Sequence, residues 1–194
     1  MNERVSWAEP EVVVAAELQA ARLQVPGLVL PSTAGVIDLR VLCAERAALF
    51  LYPATGVPGR DPALDPAPGW DDIPGAAGCT RQSLGFQREH PRFASAGVRV
   101  AGISTQPLAE QRDFAERHAL PFPLLCDEHL ELQRAWALPT FSVGTRTFSR
   151  RMVLYVERNR VCDVLYPVVD PAGSAALLLE RLAARAEEGA RKRD

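Results

Sequence analysis

The chain has 194 residues, 47% of them hydrophobic and 24% charged, with a formal net charge of -2. That composition suits one globular domain able to bury its own core, and the near-neutral balance argues against nucleic acid as a partner. The longest strongly apolar run, AALFLY, is too short to span a bilayer, and the acidic start MNERVSWAEPEVVV lacks the basic lead-in of a secretion signal. The expectation is a cytoplasmic protein with no membrane partner.

The four cysteines, Cys43, Cys79, Cys126 and Cys162, share no CxxC and lie far apart. Neither a zinc ribbon nor a dense disulfide framework fits that spacing. The nearest approach to a metal pair, Cys126 and His129 in CDEH, reads as a core cysteine beside a surface histidine. No metal and no cofactor are expected.

In chain order, residues 1–24 read as a helical N-terminal extension, residues 25–188 as a single domain, and residues 189–194 as a basic tail left in solvent. LVLPSTAGVIDLR predicts a hairpin, and AALFLY a buried strand ended by Pro53. Residues 53–75 hold six prolines and four glycines and form a loop that leads directly to Cys79. The segment CTRQSLGFQREHPRFASAG is helical, with a kink or break expected at Pro91.

GVRVAGIST gives a second buried strand, followed by a helix capped by Thr105, with Pro107 in its first turn and His118 at its C-terminal end. PFPLLCDE is a short strand and HLELQRAWAL a helix. RRMVLYVERNRVCDVLYPV reads as two strands around a turn at Arg158 to Arg160. A final helix starts at Asp170 as cap with Pro171 in first place, its leucines facing inward. The alternation gives an α/β fold, a central mixed sheet flanked by helices. Cys43, Cys126 and Cys162 fall in apolar strand-like contexts and are expected in the core.

Around Cys79 the residues Gly75, Ala76, Ala77 and Gly78 are all small, so the backbone can approach whatever lies above the sulfur. A helix starting there directs free N–H groups at a thiolate and stabilises it, and the same donors suit an oxyanion or a peroxide oxygen. Gly-Cys-Thr also opens inert helices, so spacing alone leaves both readings in place. Gln82 fills the fourth place of CTRQ, which removes the dithiol motif of thioredoxin-type oxidoreductases.

Taken together, LFLYP, PGAAGCTRQSLGF, GVRVAGIST, FAERHALPFPLLCDE and RRMVLYVERNRV, in that order, resemble the peroxiredoxins, specifically their bacterioferritin-comigratory or Q-type branch. The similarity runs over roughly residues 27–185. It implies a thioredoxin-like fold and thiol-dependent reduction of hydrogen peroxide or organic hydroperoxides. By the same resemblance Cys79 is the peroxidatic nucleophile and Arg151 stabilises thiolate and peroxide, with Arg150 turned away by strand alternation. Gly78, Thr80 and Gln82 would line the substrate position.

Three departures from the family pattern stand out. Ala76 replaces its Thr or Ser, Gln82 replaces its Glu, and the 53–75 loop is longer than usual, which suggests an enlarged wall over the site with Trp70 packed near it. Leu84 stands where the branch often has its resolving cysteine. A one-cysteine cycle with a thioredoxin-type protein or a small thiol as reductant follows, with Cys126 as the fallback resolver and a homodimer expected by analogy alone. The rival readings are a thioredoxin-like redox sensor or binding module with weak turnover, and a glutathione-linked monothiol oxidoreductase.

Overall fold

A computed structural model describes residues 17–18, 21–60 and 69–191. Most of the N-terminal extension, the middle of the proline-rich loop and the last three residues of the basic tail lie outside the described residues.

The first strands, β1 (Val29–Ser32) and β2 (Gly35–Asp38), form the antiparallel hairpin expected around Thr33 and Ala34. A single helical turn, α1 (Leu39–Leu42), follows at once. The Asp38 carboxylate accepts from the N–H groups of Arg40 and Val41 and so supplies its N-cap. The central strands β3 (Arg46–Leu51) and β4 (Arg99–Ser104) run parallel, and β5 (Leu124–Cys126) continues the parallel set. Strands buried on both faces read as continuous apolar runs, which is why ALFL and VAGI were legible as strands.

Two further strands, β6 (Thr140–Val143) and β7 (Arg146–Ser149), pair only with each other. Next, β8 (Met152–Glu157) runs antiparallel to β3, and β9 (Arg160–Leu165) closes the sheet at its edge. Among the described residues the main sheet has the order β2-β1-β5-β4-β3-β8-β9.

Helices α2 (Cys79–Ser95) and α5 (Ser174–Arg191) pack against each other on the face that holds Phe50, Tyr52, Phe86 and Phe93. Gly85 permits that approach, because a Cβ there would overlap the carbonyl oxygen of Ala172. The opposite face buries Leu49, Leu51, Ile103, Leu154 and Trp136, the last from α4 (Glu131–Trp136). The remaining helix, α3 (Leu108–Arg117), follows β4.

Several expectations need correction. Pro91 does not break α2, which continues to Ser95; the fully buried Phe86 and Phe93 anchor it on both sides of the missing N–H. Thr105 does not cap α3. Its hydroxyl donates to the Thr147 carbonyl at 2.9 Å, and Pro107 occupies the cap position instead.

His118 does end that helix, its ring 4.6 Å from Phe114. The final helix starts at Ser174 rather than Pro171, because the Asp170 carboxylate accepts from Ala172 N at 3.0 Å and closes a separate turn. Cys43 and Cys126 are in the core, but Cys162 is only half-buried.

Candidate active site

Cys79 is the first residue of α2, above the C-terminal end of β3 and beside the start of β8. Gly78 precedes it with φ 103°, a left-handed conformation that glycine adopts without strain, and a Cβ at Gly78 would press on Pro171. The N-cap Gly78 supplies no side-chain acceptor, so among the described residues the N–H groups of the first turn of α2 are left without a side-chain cap. Cys79 itself is 3% exposed.

Arg151 enters from the residue before β8 and is 3% exposed. One Nη2 lies 3.2 Å from the Cys79 sulfur and 3.0 Å from the carbonyl oxygens of both Ala76 and Ala77. Nε donates to Gly75 O at 3.3 Å, and Nη1 to Gln82 Oε1 at 2.6 Å. The two hydrogens of Nη2 are thus shared among three acceptors, and the sulfur competes with two carbonyls for them. Arg150 is not among the partners of the sulfur; it donates to the Pro74 carbonyl at 3.0 Å and lies over the Phe141 ring.

The Ala76 carbonyl also accepts from the Cys79 thiol at 3.4 Å. That carbonyl can only accept, so it does not supply the donating hydroxyl that the sequence resemblance would have at position 76. Thr80 is half-buried on the first turn of α2 and is not among the partners of the sulfur. Gln82 is fully buried, and its Nε2 has no partner among the described residues. Leu84 is 36% exposed and offers no thiol to the site.

Tyr52 and Gln106, which sequence reasoning passed over, complete the surroundings together with Cys126. Tyr52 lies buried beneath the site and donates to Gln111 Oε1 at 3.1 Å. Burial pushes its phenol up, and the nearby Cys79 and Cys126 sulfurs push it the same way. Cys126 is buried with its thiol donating to the Gln106 carbonyl at 3.2 Å, and burial is the main cause that raises it. Gln106 also accepts from Thr55 N at 2.8 Å and donates to Thr55 O at 2.9 Å, which ties down the start of the proline-rich loop. The Arg60–Glu110 ion pair at 2.9 Å adds a second tether.

The far end of that loop folds back as a single 3-10 turn, Trp70–Asp72. Trp70 packs edge-on against Phe148 with ring centres 5.0 Å apart, and lies in one apolar cluster with Ala54, Ala76 and Phe148. The described 69–76 segment and the β6–β7 hairpin pack together through this cluster, which reaches Ala76, three residues before the sulfur. A groove of about 350 Å³ lies between Asp71–Gly75 on one side and Val168, Val169 and Pro171 on the other, with Ala77 and Arg81 also lining it.

The mixed sheet with helices on its faces is a thioredoxin-like fold, and it holds a cysteine at a helix start with a buried arginine on its sulfur. The AhpC/TSA family model matches residues 74–161, the segment that runs from the proline before the active-site loop through β8. Over that segment the chain is similar to the AhpC/TSA family, and the relatives it resembles are peroxiredoxins of the Q type.

Among its relatives, the chloroplastic peroxiredoxin Q of Oryza sativa subsp. japonica is 32% identical over 96 residues, 50% of this chain and 42% of that one. The chloroplastic peroxiredoxin Q of Triticum aestivum is 31% identical over 130 residues, 67% of this chain and 50% of that one. The chain thus spans half the length of these relatives or less. The same fold is found in peroxidoxin BcpB from Mycobacterium tuberculosis, with TM-score 0.66, 24% identity and coverage of 84% of this chain and 95% of that one. It is found also in Xanthomonas campestris peroxiredoxin Q, with TM-score 0.65, 22% identity and coverage of 84% and 97%.

Proposed function

We propose that the protein reduces hydroperoxides with Cys79 as the attacking thiolate. The observation that carries this reading is the Arg151 Nη2 placed 3.2 Å from the Cys79 sulfur. A guanidinium keeps its charge at all relevant pH, so it stabilises negative charge on the sulfur, and its second hydrogen can turn to the oxygens of a bound peroxide. The thiolate attacks the terminal oxygen, the O–O bond breaks, and the second oxygen leaves as water or an alcohol after taking a proton. Cys79 is left as a sulfenic acid.

Negative charge moves from sulfur to the leaving oxygen during this step. The donors that favour it are Arg151 and the uncapped first-turn N–H groups of α2. Gly78 keeps the backbone close, and Gln82 holds Arg151 in place without neutralising it. The groove beside the proline-rich loop has room for an organic substituent, which supports organic hydroperoxides as substrates alongside hydrogen peroxide.

The sulfenic acid returns to thiol through an external reductant, a thioredoxin-type protein or a small thiol. Support comes from Leu84 in the helix and from Cys126, whose thiol is buried, bonded to Gln106 and shifted up, and so is a poor nucleophile near neutral pH. Four free thiols suit a reducing compartment such as the cytoplasm. Stopped-flow mixing with hydrogen peroxide and with an organic hydroperoxide tests the proposal. A second-order rate well above that of a free thiol, abolished in Cys79→Ser, is expected; a rate no faster than a free thiol's would overturn it.

A further inference from the structure

A second cysteine stands in charged surroundings on the edge strand. In β9, Val161 pairs with Val156 and Asp163 with Tyr155, so Cys162 between them is a bulged residue with no partner across the ladder. Bulges re-aim the side chain they carry. Cys162 is half-buried, whereas the other three cysteines are buried. It lines a pocket of about 360 Å³ together with Arg22, Arg160, Val161 and Arg185.

Two contacts fix this arrangement. Arg185, from α5, donates through Nη1 to the Cys162 carbonyl at 2.9 Å, and the Cys162 thiol donates to the Arg160 carbonyl at 3.3 Å. Among the described residues none of Arg22, Arg160 and Arg185 forms an ion pair with a carboxylate, whereas the neighbouring Arg181 is paired with Asp163 at 3.0 Å. Three guanidinium groups without counter-charges among the described residues therefore line a cavity with a thiol in its wall. The planar fork of arginine matches carboxylates.

We propose that this pocket binds small carboxylate-bearing disulfides and that Cys162 is reversibly S-thiolated there. The Cys162 sulfur attacks one sulfur of the bound disulfide, a new S–S bond forms, and the original S–S bond breaks. The departing half leaves as a thiolate and takes up the proton that the Cys162 thiol has lost. Cys162 is oxidised and the small disulfide reduced, so no further oxidant is needed. A reducing thiol reverses the step. The reaction is separate from peroxide chemistry at Cys79.

The test uses the full chain with two probes, oxidised glutathione, which carries carboxylates, and cystamine, which is cationic. Peptide mapping follows the mass added at each cysteine over time, each rate being divided by that of the same probe with free cysteine. Cys162 is expected to react about tenfold faster with oxidised glutathione than with cystamine on this scale. The preference should shrink with added salt and disappear in the double variant Arg160→Gln, Arg185→Gln. Equal normalised rates, a preference unaffected by salt, or addition only at other cysteines would overturn the proposal. The salt series on the unaltered chain decides the matter even if the double variant does not fold.

Discussion

Arg151→Lys retains a positive charge at the site but removes the fork, and so separates charge from geometry. The guanidinium makes five contacts, to Gly75 O, Gln82 Oε1, Ala76 O, Ala77 O and the Cys79 sulfur. An ammonium has three hydrogens on one atom, so at least two of those acceptors lose their donor. The carbonyls of the 75–77 turn hold the nitrogen from one side, leaving the sulfur and an incoming peroxide as the partners given up. One charge-assisted hydrogen bond lost in the transition state is about 1.5–3 kcal/mol, which converts to a rate loss of about tenfold to 150-fold. Stopped-flow loss of the Cys79 thiol under excess peroxide measures it. Alkylation by iodoacetamide, which needs the thiolate but no donors to a peroxide oxygen, should fall far less. A variant within about twofold of the parent toward peroxide would refute the reasoning.

Trp70→Ala removes the main apolar anchor of the 69–76 segment. It should lower stability by about 3–5 kcal/mol in denaturant unfolding; a loss below about 1 kcal/mol would show that the Trp70 cluster does not hold the loop. Gln82→Glu replaces a buried amide whose Nε2 has no partner among the described residues and gives Arg151 a counter-charge at the same position. A rise in melting temperature is expected, and a fall would contradict this account of the orphaned amide.

Cys43 is fully buried, and burial pushes its thiol from the usual value of 9.0 up to about 12, against a smaller opposite effect of Arg99. Between those values the unfolded chain has lost this proton and the folded chain retains it, so stability falls as pH rises through that window. The contribution is at most about 1.4 kcal/mol per pH unit. Urea unfolding from pH 8 upward should show a slope that flattens in Cys43→Ala; an unchanged slope would remove Cys43 as its source.

Much of the fold was legible because its signals are local. The runs ALFL, VAGI and MVLYV are strands buried on both faces, and the turn at Arg158 to Arg160 separates MVLYV from the next strand, RVCDVL. The β6–β7 hairpin went unassigned although Thr-Phe-Ser-Val and Arg-Thr-Phe-Ser flank a two-residue Gly144–Thr145 turn, a readable hairpin signal. Thr105 misled because a hydroxyl before a helix has rival acceptors, and here the Thr147 carbonyl brought by that hairpin took it. Such competition between distant elements is invisible in a local window.

At the site, Cys79 and Arg151 could be named from the resemblance of their segments, alternation adding only that one of Arg150 and Arg151 faces the sulfur. Three features could not. Carbonyls converging from Gly75, Ala76 and Ala77 depend on backbone direction. The placement of Tyr52 beneath two cysteines depends on strand order. The half-buried position of Cys162 depends on a bulge, which the apolar run around it does not signal.

The central claim, that Cys79 is the thiol that peroxide oxidises, is tested most directly by adding one equivalent of hydrogen peroxide in the presence of dimedone and mapping the modified peptide by mass spectrometry. The account predicts a near-stoichiometric adduct at Cys79 and none at Cys43 or Cys126. An adduct mainly at another cysteine, or a disulfide linking Cys79 to Cys126 that forms before dimedone can react, would contradict respectively the assignment of the nucleophile and the one-cysteine cycle.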